Sequence, residues 1–184
     1  MNLDHLMWAE DGWGYLPPSA EVFDNLSKAI EVSNAKSILE IGFYAGHSTT
    51  YLANLAPDAT IFSCCPDHPR GREYGTIVSD LFPNVTVNCV PSPEVFLLTM
   101  AKKFDLCFLD GNHSYISALT DFMLCRELRI PYVLFDNTEL HTVRTLIQHL
   151  RATDRLELID EFTYEANFKG KAATNQMTLV KIIF

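Results

Sequence analysis

Five short apolar runs, at residues 37–41, 60–64, 85–90, 104–109 and 131–135, alternate with longer stretches of helical spacing, and this rhythm restricts the fold of the chain. Each run has the length of a strand and lacks strict polar alternation, as parallel strands covered on both faces do. The stretches 47–56, 71–82, 92–102 and 114–129 between them, and 139–151 after the last, read as helices. In the last, Leu140, Val143, Leu146, Ile147 and Leu150 share one face. Ahead of the first run, Ser19 is placed to cap a helix over 19 to about 34, with Val22, Phe23, Leu26, Ala29 and Ile30 at helical intervals. Strands alternating with helices predict right-handed βαβ units and an open, mostly parallel sheet. Residues 156–162 and 176–184 then read as two strands with no helix between them, and 163–175 as a loop. That pair predicts an antiparallel edge, giving an α/β fold with seven strands.

A chain of 184 residues suits a single domain, 1–184. Its 14 basic and 23 acidic residues leave a net charge of −9, which disfavours nucleic-acid phosphates as partners. No apolar run approaches the roughly 20 residues of a membrane-spanning helix, and the first 15 residues lack the pattern of a signal peptide. The five cysteines, at 64, 65, 89, 107 and 125, have no CxxC spacing, so free thiols in the cytoplasm are expected rather than disulfides or zinc. Trp8, Trp13 and Tyr15 make the segment 1–18 aromatic, which suits a lid over a site or a contact in a homodimer.

The first strand runs into SILEIGFYAGHSTTYLA. Gly42 and Gly46 flank a tight turn where a ligand could approach bare backbone. The following helix start favours an anionic group, while the Glu40 carboxylate suits a cationic amine, and Ser48 and Thr49 add hydroxyls. The dinucleotide fingerprint GxGxxG is absent, which disfavours a nicotinamide cofactor.

The stretch ILEIGFYAGHST resembles the first motif of class I S-adenosylmethionine-dependent methyltransferases, and is especially similar to the catechol and caffeoyl-CoA O-methyltransferase group and its bacterial relatives. The resemblance implies a Rossmann-like, doubly wound sheet with S-adenosylmethionine as cofactor. It implies that Glu40 holds the methionine amino group and that Gly42, Tyr44, Gly46 and Ser48 line the methionine portion. The family's ribose-binding acid after the second strand is missing: TIFSCCPDHP places Ser63, Cys64 or Cys65 there. Asp67 either substitutes or is a turn residue, and Ser92 either contacts adenine or caps a helix.

The fourth and fifth strands end in FLDGNHSY and LFDNTEL, which resemble the metal-binding strand ends of the cation-dependent branch. The resemblance assigns Asp110, Asp136 and Asn137 to Mg²⁺ or Ca²⁺, a hard-oxygen set; equally, acids at strand ends cap the next helix. Asp110 counts with the cofactor site and the reaction site as well. Where the catechol branch has a lysine base this chain has His113, which either accepts a proton or orients the turn at Ser114. The expected activity is cation-assisted O-methylation of a small hydroxylated substrate. The alternatives are a metal-independent N- or O-methyltransferase and a non-catalytic cofactor-binding or assembly protein.

Overall fold

The computed structural model describes residues 16–66, 68–90, 92–168 and 171–184. It opens with α1 (Ala20–Ser33), in which the Ser19 side chain accepts from the Val22 N–H at 3.2 Å and Asn34 closes the helix in the left-handed region. Five βα repeats follow: β1 (Ser37–Ile41), α2 (His47–Leu55), β2 (Thr60–Cys65), α3 (Pro69–Leu81), β3 (Val85–Cys89), α4 (Ser92–Thr99), β4 (Leu106–Leu109), α5 (Tyr115–Glu127), β5 (Tyr132–Phe135) and α6 (His141–Ala152). The chain then runs into β6 (Leu156–Phe168) and β7 (Lys171–Ile182).

The seven strands lie in the order β3-β2-β1-β4-β5-β7-β6. The first five are parallel, and β7 pairs antiparallel with both β5 and β6. Strand order reverses between β1 and β4, and open α/β sheets bind ligands at such a switch point, outside the C-terminal strand ends.

Neighbouring strand residues point to opposite faces, and the core is split accordingly. Ile38 and Phe108 face a layer that includes Leu26, Leu52 and Val78 from α1, α2 and α3. Leu39 and Cys107 face the other layer, with Val95, Phe122 and Leu146 from α4, α5 and α6. Both faces of the parallel part of the sheet are covered, which is why its strands are mostly apolar.

The loop expected at 163–175 is instead strand over 163–168 and 171–175. Pairing between β6 and β7 continues from Leu156↔Ile182 to Phe168↔Lys171, with a bulge between Leu158 and Asp160. The physical reason is a period of two: Phe162 and Tyr164 point inward while Glu161, Thr163 and Glu165 face solvent. Polar outward positions made the segment look like a loop, although each arm satisfies the backbone of the other. All five cysteines are free thiols, and no described helix is long and apolar enough to cross a membrane. The aromatic residues Trp8, Trp13 and Tyr15 lie outside the described residues.

Candidate active site

Glu40 lies in β1 at the switch point, wholly buried. Its register partner in β2 is Ser63. The Ser63 and Thr49 hydroxyls both donate to Glu40 Oε2, while Oε1 is buried and meets no hydrogen-bond donor among the described residues. Burial pushes the Glu40 carboxyl upward, and the hydroxyls of Ser48, Ser63 and Thr49 pull it back. The β2 serine that stands near the missing ribose acid therefore serves Glu40, a cross-strand role.

The glycine turn is tight for internal reasons. Gly42 has φ +124°, and a Cβ there would lie 2.1 Å from the Asp110 carbonyl oxygen. At Gly46, φ +81°, a Cβ would meet the Phe43 ring at 2.9 Å. The bareness of both residues makes room for neighbouring protein. The N–H groups of Gly42 and Phe43 donate to the Cys64 carbonyl at 2.9 and 3.0 Å, tying the turn to β2. The Tyr44 ring sits 6.4 Å from that of His68, beside the loop after β2. Asp67 lies outside the described residues, as does the side chain of Ser92, whose backbone opens α4.

Asp110 and Asp136 emerge side by side, because each follows one member of the β4–β5 register pair Leu109↔Phe135. The Asp110 N–H donates to the Ile41 carbonyl at 2.9 Å and the Asp136 N–H to the Leu109 carbonyl at 3.0 Å, so each strand end is fastened to its neighbour. The two carboxyl groups lie within hydrogen-bonding reach of each other. Burial, and then the charges of Asp136 and Glu40, push Asp110 well above the usual carboxylate range. Burial pushes Asp136 up to about 7, against the Asn137 N–H and Tyr164 hydroxyl that favour its ionised form.

Tyr164 is buried and donates to Asp136, 2.9 Å from Oδ1 and 3.3 Å from Oδ2. Burial and the Asp136 charge raise its own hydroxyl far above the ordinary tyrosine value. Asn175 Nδ2 donates in turn to the Tyr164 oxygen at 3.4 Å. Asn137 is left-handed, φ 52°, and its Nδ2 donates to Glu139 Oε1 at 3.3 Å. The second Glu139 oxygen accepts from the Gln176 N–H at 2.8 Å, which links the β5 end to β7.

Across chain positions 39–138, from β1 to the residues just after β5, the sequence matches a family model described as a methyltransferase domain. The chain belongs to the methyltransferase-domain family. The matched stretch carries Glu40, the glycine turn, Asp110, Asp136 and Asn137. The sequence has no match among curated proteins. Solved structures similar to this methyltransferase include the SAH-bound PaMTH1 of Podospora anserina, at 15% identity and a TM-score of 0.73, covering 99% of this chain and 87% of that one. The O-methyltransferase TomG of Streptomyces achromogenes, in complex with SAM, is 18% identical with a TM-score of 0.71 over 100% and 92% of the two chains. An O-methyltransferase from Bacillus cereus, in complex with SAH, is 16% identical with a TM-score of 0.68 over 91% and 83%. These likenesses establish the fold, and the family establishes methyl transfer as the class of activity.

In this methyltransferase His113 lies near the aspartates, its Nε2 3.8 Å from Asp110 Oδ1. Burial lowers its proton affinity, opposed by the charge of Glu139, so the ring is neutral near pH 7 and able to accept a proton. At the adjoining turn Asn112 Oδ1 accepts from the Ser114 N–H at 2.9 Å, and the Ser114 hydroxyl accepts from the Ser117 N–H at 3.3 Å. Among the described residues no three His, Cys, Asp or Glu side chains are grouped to hold a metal ion. A cation here would rely on Asp110, Asp136 and the amide oxygen of Asn137. Sequence reasoning missed Tyr164, Asn175 and Glu139 as parts of the site. The first two lie on strands taken for a loop, where only the alternation about Phe162 and Tyr164 marked them.

Proposed function

We propose that this methyltransferase binds S-adenosylmethionine and moves its methyl group to a hydroxyl of a small molecule, with a divalent cation at Asp110, Asp136 and Asn137. The observation that carries the reading is Glu40, a carboxylate buried at the switch point with Oε1 lacking a donor. A buried acceptor without a partner is costly, and a cationic amino group placed there relieves it. S-adenosylmethionine supplies both that ammonium and the methyl group to be transferred. The SAM- and SAH-bound structures of the same fold support the choice.

The donor set fits a hard cation. Two adjacent carboxylates either share a proton or neutralise a divalent ion, and the Asn137 amide adds a third oxygen. Such an ion supplies Lewis acidity toward an acceptor hydroxyl. Tyr164 and Asn175 hold the Asp136 carboxylate in place. His113, neutral and beside Asp110, takes the acceptor's proton at Nε2. Five free thiols support a reducing compartment, the cytoplasm.

Calorimetric titration with S-adenosylmethionine tests the reading. Glu40→Gln removes a charge-assisted contact worth about 1.5–3 kcal/mol and should weaken binding roughly 10- to 100-fold. Absence of measurable binding by the wild-type protein would refute the proposal. Methyl transfer that persists unchanged in a metal chelator, and in Asp136→Ala with the fold intact, would leave the cofactor and remove the cation.

A further inference from the structure

Cys65 and Cys89 are the last residues of β2 and β3, and they are register partners on adjacent parallel strands. Their sulfurs lie 3.8 Å apart, with the Cys65 thiol directed at Cys89 Sγ. Facing residues on neighbouring strands stand about 4.8 Å apart, within the Cα range that a disulfide spans. Closure to an S–S bond of about 2.04 Å needs an approach of about 1.8 Å. Residue 71 of α3, which lies over the pair, is a glycine: a Cβ there would lie 2.9 Å from Cys65 Sγ and 3.8 Å from Cys89 Sγ.

Access separates this pair from the other thiols. Cys89 is half-buried and lines a surface groove of about 430 Å³ with Thr76, Ser79 and Asn88. Cys65 lies behind it, 5% exposed. Cys107 and Cys125 also adjoin each other, but both are wholly buried and beyond the reach of an oxidant.

We propose that Cys65 and Cys89 form a reversible dithiol–disulfide pair whose closure shifts the C-terminal ends of β2 and β3, beside the Glu40 site. The oxidant is a small disulfide such as oxidised glutathione. The Cys89 thiolate attacks one of its sulfurs, forming a mixed disulfide and releasing one thiolate. The Cys65 thiolate then attacks Cys89 Sγ, the mixed bond breaks, and the second small thiol departs. Two protein thiols lose two protons and two electrons, and one external disulfide becomes two thiols. Burial holds Cys65 at about 12, with the Cys89 charge and S–H contact adding to it. Those last two influences vanish once Cys89 is in the mixed disulfide, so the first step eases the second.

The position gives the bond its effect. Cys65 ends β2 ahead of α3 and Cys89 ends β3 ahead of α4, so a bridge draws together the C-terminal ends of two adjacent strands, on the sheet edge that also carries the Glu40 site. The consequence for binding rests on the S-adenosylmethionine reading above. A bridge that forms only when both strand ends move together stores strain and is correspondingly easy to reduce.

The test incubates the full chain with oxidised glutathione, blocks free thiols, and reads intact mass, linked peptides and amide exchange over 66–75 and 90–97. Expected are a Cys65–Cys89 peptide link reversed by dithiothreitol, altered exchange in both segments, and S-adenosylmethionine binding at least tenfold weaker. Cys65→Ser should stall as glutathione-capped Cys89, and Cys89→Ser should form neither product. Wild-type protein that stops at the capped stage overturns the proposal, and so does a bridge with unchanged exchange or unchanged affinity. Should the reduced protein bind no S-adenosylmethionine, the functional reading falls, and mass and exchange alone decide the thiol pair.

Discussion

Asp136 receives help from the far end of the chain: the Tyr164 hydroxyl reaches both of its oxygens and Asn175 steadies that hydroxyl. Hydrogen bonds to a charged acceptor contribute about 1.5–3 kcal/mol, so Tyr164→Phe should lose that much stability in urea titrations. A loss below half a kcal/mol would show the contact to be ornamental. The same carboxyl makes stability depend on pH. Its folded value is about 7 against 3.8 for the unfolded chain. Between those values the folded state keeps a proton that the unfolded state has released, so stability falls as pH rises from about 4 to 7. Asp136→Asn does not titrate and is expected to melt above wild type at pH 8, with the gap closing toward pH 4. Each kcal/mol relieved raises Tm by about 2–4 °C in a domain of this size. His113 acts in reverse, since its lowered value removes stability as pH drops below 6.5, but both proteins carry it and it cancels. A gap constant with pH would contradict the assignment.

The elements differ in how much of them the sequence reveals. The parallel strands could be read because burial on both faces leaves continuous apolar runs, and the two aspartates could be read because they end two such runs. The β6–β7 hairpin could not, since half its residues face water and mimic a loop. With it went Tyr164 and Asn175. Ser63 escaped for a different reason: that it faces Glu40 is a fact of register between strands, which composition does not encode. The hairpin should also differ in local stability. Residues 178–181 of β7 pair with both β5 and β6, whereas its earlier residues pair only with β6. Amide exchange should therefore be slowest at Leu179 and Val180 and much faster at Ala172 and Ala173. Equal protection along β7 would mean that another part of the chain covers its outer half.

At the scale of the whole molecule the sheet divides two cores that hardly meet. Leu52 of α2 is buried in one and Leu146 of α6 in the other. Each leucine-to-alanine change should cost about 2–5 kcal/mol. Separated by the sheet, the two effects should add within about 0.5 kcal/mol in a double-mutant cycle read by denaturant unfolding, and a larger coupling would show the sheet transmitting strain. The strand order has a temporal consequence as well. β7 lies between β5 and β6, yet it is synthesised after both. During elongation at about 5–20 residues per second, β6 waits on the order of a second for β7, while β5 presents a bare edge. A nascent chain halted after β6 would carry an acidic pocket whose tyrosine is already made but not yet delivered.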